Sequence, residues 1–86
     1  ELEEIEVVVN SIADISNAAC IFDQEKDSII LYYTTVSGEE LDIINLIKDK
    51  LPKYMFPNEV FHLRVLPYNM NGKIDRIELK KNYDAQ

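Results

Sequence analysis

Leu2, Ile5, Val9 and Ile12 recur at spacings of three and four, which predicts one apolar face of a helix. Glu1, Glu3, Glu4 and Glu6 crowd its first turns, where the helix dipole favours acidic groups. The apolar run Ala18–Phe22 predicts a buried strand, and the polar stretch Gln24–Asp27 a hairpin loop. Ser28–Val36 is dense in β-branched and aromatic residues and is the strongest strand signal in the chain. Ser37, followed by Gly38-Glu39-Glu40, predicts a capped helix start. The stripe Leu41, Ile44, Ile47 and Leu51, widened by Ile43 and Leu46, continues that helix. Lys48 and Lys50 suit its carboxyl end, and Pro52 stops it. Lys53–Pro57 is a connector, Val60–Leu66 a third strand, and Pro67–Gly72 turn material. Ile74–Asn82 predicts a short terminal helix with Ile74, Ile77 and Leu79 or Lys81 facing inward.

The order helix, strand, strand, helix, strand, helix predicts a small α+β domain, with an antiparallel three-stranded sheet flanked by helices. At 86 residues there is room for one domain, and an apolar share of 47% excludes a disordered tail. Cys20, the single cysteine, cannot form an internal disulfide; inside Ala18–Phe22 it is expected to be a buried small hydrophobe. A reducing, cytoplasmic location is expected with it. No apolar run approaches the roughly 18–20 residues that span a bilayer, and the acidic start Glu1-Leu2-Glu3-Glu4 does not look like a secretory signal, so no membrane association is expected. One cysteine and one histidine offer no metal-ligand spacing, and no metal in this chain is expected.

Charge changes the picture through its distribution. The net charge of −7 disfavours non-specific binding to nucleic acid. Residues 1–51 carry a balance of −9, whereas residues 52–81 carry +3 through Lys53, Arg64, Lys73, Arg76, Lys80 and Lys81. Two solvated faces of opposite sign would give this pattern; so would a second half that meets an anion.

The segment Asn71-Gly72-Lys73 sharpens the second possibility. Asn-Gly favours positive φ in a tight turn, and a lysine directly after it projects from a defined backbone position. On its own the tripeptide reads equally as a plain hairpin turn with an exposed lysine. The longer context is Leu51-Pro52-Lys53-Tyr54-Met55-Phe56-Pro57 followed by Leu66-Pro67-Tyr68-Asn69-Met70-Asn71-Gly72-Lys73-Ile74-Asp75-Arg76. These two blocks, at this separation, resemble the carboxyl-terminal signature of the adenylate-forming enzymes, the superfamily of amino-acid adenylation domains, acyl-CoA synthetases and luciferase. Glu1-Leu2-Glu3-Glu4-Ile5-Glu6 resembles the end of a third family block, with Glu3 where glycine is usual. Tyr68-Asn69 departs from the Leu-Thr or Lys-Thr that often follows the second Leu-Pro, which bears on the shape of the loop.

The resemblance implies that residues 1–86 form the small, mobile carboxyl-terminal subdomain of an AMP-forming ligase. The large amino-terminal domain, which binds most of the ATP and Mg2+, would lie outside this chain, together with the family's hinge aspartate. Such enzymes join a carboxylate to ATP and then pass the acyl group to a thiol. Their Gly-Lys lysine falls on Lys73, the implied catalytic residue, with Gly72 and Asn71 shaping the nucleotide-facing turn. Asn-Gly-Lys-Ile-Asp-Arg resembles the amino-acid-activating branch, whose partners are the large domain, the carboxylic or amino acid substrate and a phosphopantetheinyl carrier protein. The acyl-CoA synthetase branch is the alternative, and a non-catalytic interaction module with this fold is a third reading. Arg76 is expected to be a local structural partner of Asp75, Glu78 or an interface carboxylate. His62 is expected to be a strand residue, and Tyr32, Tyr33, Tyr54 and Phe56 core or domain-contact aromatics.

Overall fold

The run that begins at Ser28 becomes the middle strand of a three-stranded sheet. In the computed structural model, which describes residues 1–86, the elements follow the expected order. They are α1 (Leu2–Asn10), β1 (Ile15–Asp23), β2 (Ser28–Thr35), α2 (Ile43–Ile47), β3 (Glu59–His62) and α3 (Arg76–Asp84), with a 3-10 turn at Lys53–Met55 between α2 and β3. The fold is α+β, as expected.

The sheet corrects one expectation. β1 and β2 pair antiparallel, for instance Ala18↔Tyr33 and Cys20↔Leu31, but β2 and β3 pair parallel, from Ile30↔Glu59 to Tyr33↔His62. The sheet is therefore mixed. The cause is the connection through residues 36–58: it carries α2 and the 3-10 turn across one face and returns the chain to the starting end of β2.

Helices cover both faces, which is why β1 and β2 read as nearly continuous apolar runs. On one face Ala18, Cys20, Leu31 and Tyr33 pack with Ile5 and Val9 of α1 and Ile43 and Ile47 of α2. On the other, Ala19, Ile21, Ile30 and Tyr32 meet Leu66 and, from α3, Leu79 and Tyr83. Tyr32 stacks on Phe61 with ring centroids 5.3 Å apart, and its buried hydroxyl has no hydrogen-bond partner.

Local chemistry shifts several boundaries. α2 starts late because its cap is Asp42, whose carboxylate accepts the Asn45 amide at 3.3 Å, rather than Ser37. Ser37 instead donates its amide and hydroxyl to the Asp14 carboxylate, and Gly38 turns with φ 82°. The Tyr33 hydroxyl then accepts the Leu41 amide at 2.8 Å and donates to the Leu41 carbonyl at 3.2 Å, holding that residue out of helix. The third strand ends at His62, and Val65 is exposed. On α3 the inward residues are Leu79 and Tyr83; Ile77, expected inside, points out at 78% exposure.

Tyr83 lies beyond the helix end expected from sequence. Its hydroxyl donates to Asp23 Oδ2 at 2.8 Å and lies 3.3 Å from Glu59 Oε2. That hydrogen bond, together with the Lys26 and Glu25 amides, holds the Asp23 carboxyl below its ordinary pKa against the effect of burial. No helix is long and apolar enough to cross a membrane.

Candidate functional site

The segment from Pro67 to Asp75 folds back on itself and projects from the second core layer, against which only its Ile74 packs. Tyr68 and Ile74 form an antiparallel bridge at its base, and the Asp75 amide donates to the Pro67 carbonyl at 2.8 Å. Above them the Asn69 amide donates to the Lys73 carbonyl at 2.8 Å, and the Gly72 amide to the Asn69 carbonyl at 3.0 Å. The Asn69 side chain closes the turn: its Oδ1 accepts the Asn71 amide at 2.9 Å and the Lys73 amide at 3.1 Å. Gly72 sits at φ 78°, a region that side chains with a Cβ rarely adopt.

This geometry brings Asn71, Gly72 and Lys73 together in one turn. Asn71 contributes a backbone amide, Gly72 the left-handed backbone, and Lys73 an exposed side chain. No carboxylate lies within ion-pair distance of the Lys73 ammonium. The rim of the turn is apolar but solvated, with Met70 fully exposed and Tyr68 about half exposed.

α3 begins immediately after the turn. Asp75 caps it by accepting the Glu78 amide at 2.9 Å. Arg76, the first helical residue, places a cation at the helix end where the dipole disfavours one. A carboxylate offsets it: Arg76 Nη2 donates to Glu6 Oε1 at 2.7 Å and to Oε2 at 2.8 Å. Glu6 Oε2 also accepts the Cys20 amide at 2.7 Å. Cys20 is buried, and its thiol is pushed up to about 12 by that burial and by the nearby Glu6 carboxylate, with Arg76 pulling the other way. It is an inert core thiol under ordinary conditions.

Arg76 is thus a local structural partner, but of Glu6 rather than Asp75 or Glu78. His62 stays in β3 as expected, its ring 5.0 Å from that of Tyr33 and its Nε2 3.4 Å from Thr35 Oγ1. Tyr32 and Tyr33 are core residues, Phe56 is half-buried, and Tyr54 is exposed. Sequence reasoning missed two members of the site. Asn69 carried a readable signal, being an Asn two residues before the next turn amide. Glu6 carried none, because its partner lies 70 residues away. No three His, Cys, Asp or Glu side chains converge into a metal-holding group.

Residues 4–73 match the AMP-binding enzyme C-terminal domain family. Among curated proteins the chain is 36% identical to nonribosomal peptide synthetase kk1B of Curvularia clavata, over 94% of this chain and 1% of that protein. Among solved structures it superposes on Klebsiella oxytoca NpsA in complex with 3-hydroxyanthranilyl-AMSN with a TM-score of 0.86 and 25% identity, over 96% of this chain and 17% of that one. A fatty acyl CoA synthetase from Mycobacterium tuberculosis gives a TM-score of 0.82 and 25% identity, over 95% of this chain and 17% of that one. The chain therefore spans a small part of each protein it matches. By that family match and by the shared fold, the chain belongs to the AMP-binding enzyme C-terminal domain family, the small carboxyl-terminal subdomain of the adenylate-forming superfamily.

Proposed function

We propose that this chain is the mobile lid of an ATP-dependent, AMP-forming ligase that activates an amino acid and passes it to a carrier-protein thiol. In the first step a substrate carboxylate oxygen attacks the α-phosphorus of ATP. The bond to the bridging oxygen breaks, and acyl adenylate and pyrophosphate result. Two anions must meet, and negative charge builds on the phosphoryl oxygens. The Lys73 ammonium, a compact cation on a long stem, bridges carboxylate and α-phosphate and stabilises that charge. One such donor is worth roughly 3–4 kcal/mol by analogy with oxyanion sites. No general base is needed, because the nucleophile is already ionised.

In the second step the phosphopantetheine sulfur attacks the acyl carbon, AMP leaves with the bonding electrons, and the thiol proton passes to solvent or phosphate. ATP with Mg2+ would be held mainly by the large domain. This chain supplies the lysine and the backbone of Asn71 and Gly72 around it.

The observation that carries the reading is the Lys73 turn itself. An exposed ammonium with no carboxylate partner stands on a turn locked by five hydrogen bonds. A cation so presented is made for a cleft that another body provides. The amino-acid branch is supported by Asn71-Gly72-Lys73-Ile74-Asp75-Arg76 and by the peptide synthetase relative; the likeness to a fatty acyl CoA synthetase keeps the CoA branch as the second reading. Pyrophosphate exchange by the intact enzyme, run across amino acids and fatty acids, tests both. Exchange with an amino acid is expected, and exchange with fatty acids alone would move the chain to the CoA branch. The isolated 86-residue chain should show none.

A further inference from the structure

We propose that Glu6 is a positioning residue for Lys73, acting through Arg76 as a strut between the first helix and the exit of the lysine turn. The inference rests on the role proposed for Lys73 and goes beyond it.

Three features support it. First, β1 is an edge strand, so the Cys20 amide on its outer side has no neighbouring strand to receive it. Glu6 Oε2 takes that amide at 2.7 Å and is thereby fixed to the sheet. Second, the same carboxylate holds Arg76 Nη2 with both oxygens, and Glu6 is itself largely shielded, its side chain 13% exposed. One carboxylate thus ties α1, β1 and the first turn of α3. Third, a cation at the first position of a helix breaks a local rule, and such breaks mark positions held for another purpose. Arg76 stands three residues after Lys73, with Asp75 between them bonded both back to Pro67 and forward into α3.

The base of the turn is closed by Tyr68–Ile74 and Asp75–Pro67, but those bonds are internal to the turn. They fix its shape, and its seat on the fold comes from Ile74 and the buried Leu66 against the second core layer, on the α3 side only. The Glu6–Arg76 strut adds a fixed point between the exit of the turn and α1. Losing it would leave the turn formed but its ammonium pointing variably. An effective catalytic geometry tolerates little of that.

The test uses the intact enzyme with Glu6→Gln, Arg76→Gln, the double variant, Arg76→Lys and a Lys73→Ala control. Glu6→Gln and Arg76→Gln should each lower the maximal rate of amino-acid-dependent pyrophosphate exchange about tenfold, with KM for the amino acid unchanged. The double variant should be no worse than either single one, and Arg76→Lys should recover part of the rate. Transfer from preformed adenylate should be kept. Deuterium uptake over residues 67–76 should rise in Glu6→Gln while β2 stays protected. Unchanged uptake over 67–76 would overturn the strut, whatever happens to activity. Raised uptake with full exchange, beside a Lys73→Ala enzyme that has lost exchange, would overturn the positioning role alone. Additive losses in the double variant would also overturn it. Full exchange by Lys73→Ala would instead remove the function proposed for Lys73, and the positioning role with it.

Discussion

Two turns in this molecule are closed by the same device and put to opposite use. Between β1 and β2, Asp23 Oδ1 accepts the amides of Glu25 and Lys26 at 3.0 and 3.2 Å. Between β3 and α3, Asn69 Oδ1 accepts the amides of Asn71 and Lys73 at 2.9 and 3.1 Å. Each turn also carries a residue at positive φ, Asp27 at 51° and Gly72 at 78°. The first turn is then stapled to the core, because the other oxygen of Asp23 takes the Tyr83 hydroxyl. The second has no such staple. Its closing side chain is a neutral amide, so the lysine it presents meets no carboxylate within the turn. The turn stapled to the fold has a charged closer and a buried partner; the turn that presents Lys73, proposed to meet an anion, has a neutral closer and stays out in solvent.

Among changes to how the two turns are built, placing a branched side chain at the left-handed position of the second should have the largest effect. A Cβ added at Gly72 meets no atom within 4 Å, so the cost of Gly72→Val is chiefly backbone strain, about 1–3 kcal/mol. Exchange by the intact enzyme should fall tenfold or more, and the thermal midpoint of this domain should drop by roughly 4–8 °C per kcal/mol of strain. A normal rate would mean that the turn's shape does not matter. Converting the closer comes next. Asn69→Asp keeps both acceptor bonds but adds the carboxylate that the first turn has. Exchange should drop several-fold with the turn intact, read by rate and by unchanged deuterium uptake over residues 67–76. An undiminished rate would show that charge within the turn is immaterial.

Cutting the staple of the first turn should separate stability from chemistry. Tyr83→Phe removes the hydroxyl that holds the Asp23 pKa down, so the urea midpoint should fall with exchange untouched. The sign follows from linkage. A carboxyl with a lowered folded pKa contributes stability above its unfolded value, about 3.9, and loses it as pH falls through the folded value. The gap between Tyr83→Phe and the parent should therefore be full at pH 7 and close on acidification below about 4. A gap that stays constant would contradict the assignment. The smallest effect is expected at Tyr32, whose buried hydroxyl is unpartnered. Tyr32→Phe should be neutral or raise stability by about 1 kcal/mol, measured by urea unfolding. A clear loss would mean that the hydroxyl has a partner.

The two turns were not equally legible. Asn71-Gly72-Lys73 announces its turn, because Asn-Gly needs no tertiary contact to favour positive φ. The Gln24–Asp27 loop was readable as a loop, but its staple was not, since Tyr83 reaches Asp23 only after α3 has packed across the sheet. α1, β1 and β2 were legible because a two-sided core forces long apolar runs. α2 was overextended, because Tyr33 and Asp14 hold the preceding segment through side-chain bonds that no helical period reveals. The direction of β3 was illegible for a related reason: four residues of strand carry no mark of which way they run. The turn at Asn71-Gly72-Lys73 was readable from local sequence, while Glu6 and Arg76 meet only through the fold.

The most direct measurement compares the two half-reactions in the intact enzyme before and after Lys73→Ala. Pyrophosphate exchange should fall about a hundredfold or more, while transfer of the acyl group from preformed adenylate to the carrier thiol stays close to the parent rate. Equal loss of both half-reactions, or no loss of exchange, would contradict a lysine that serves adenylate formation.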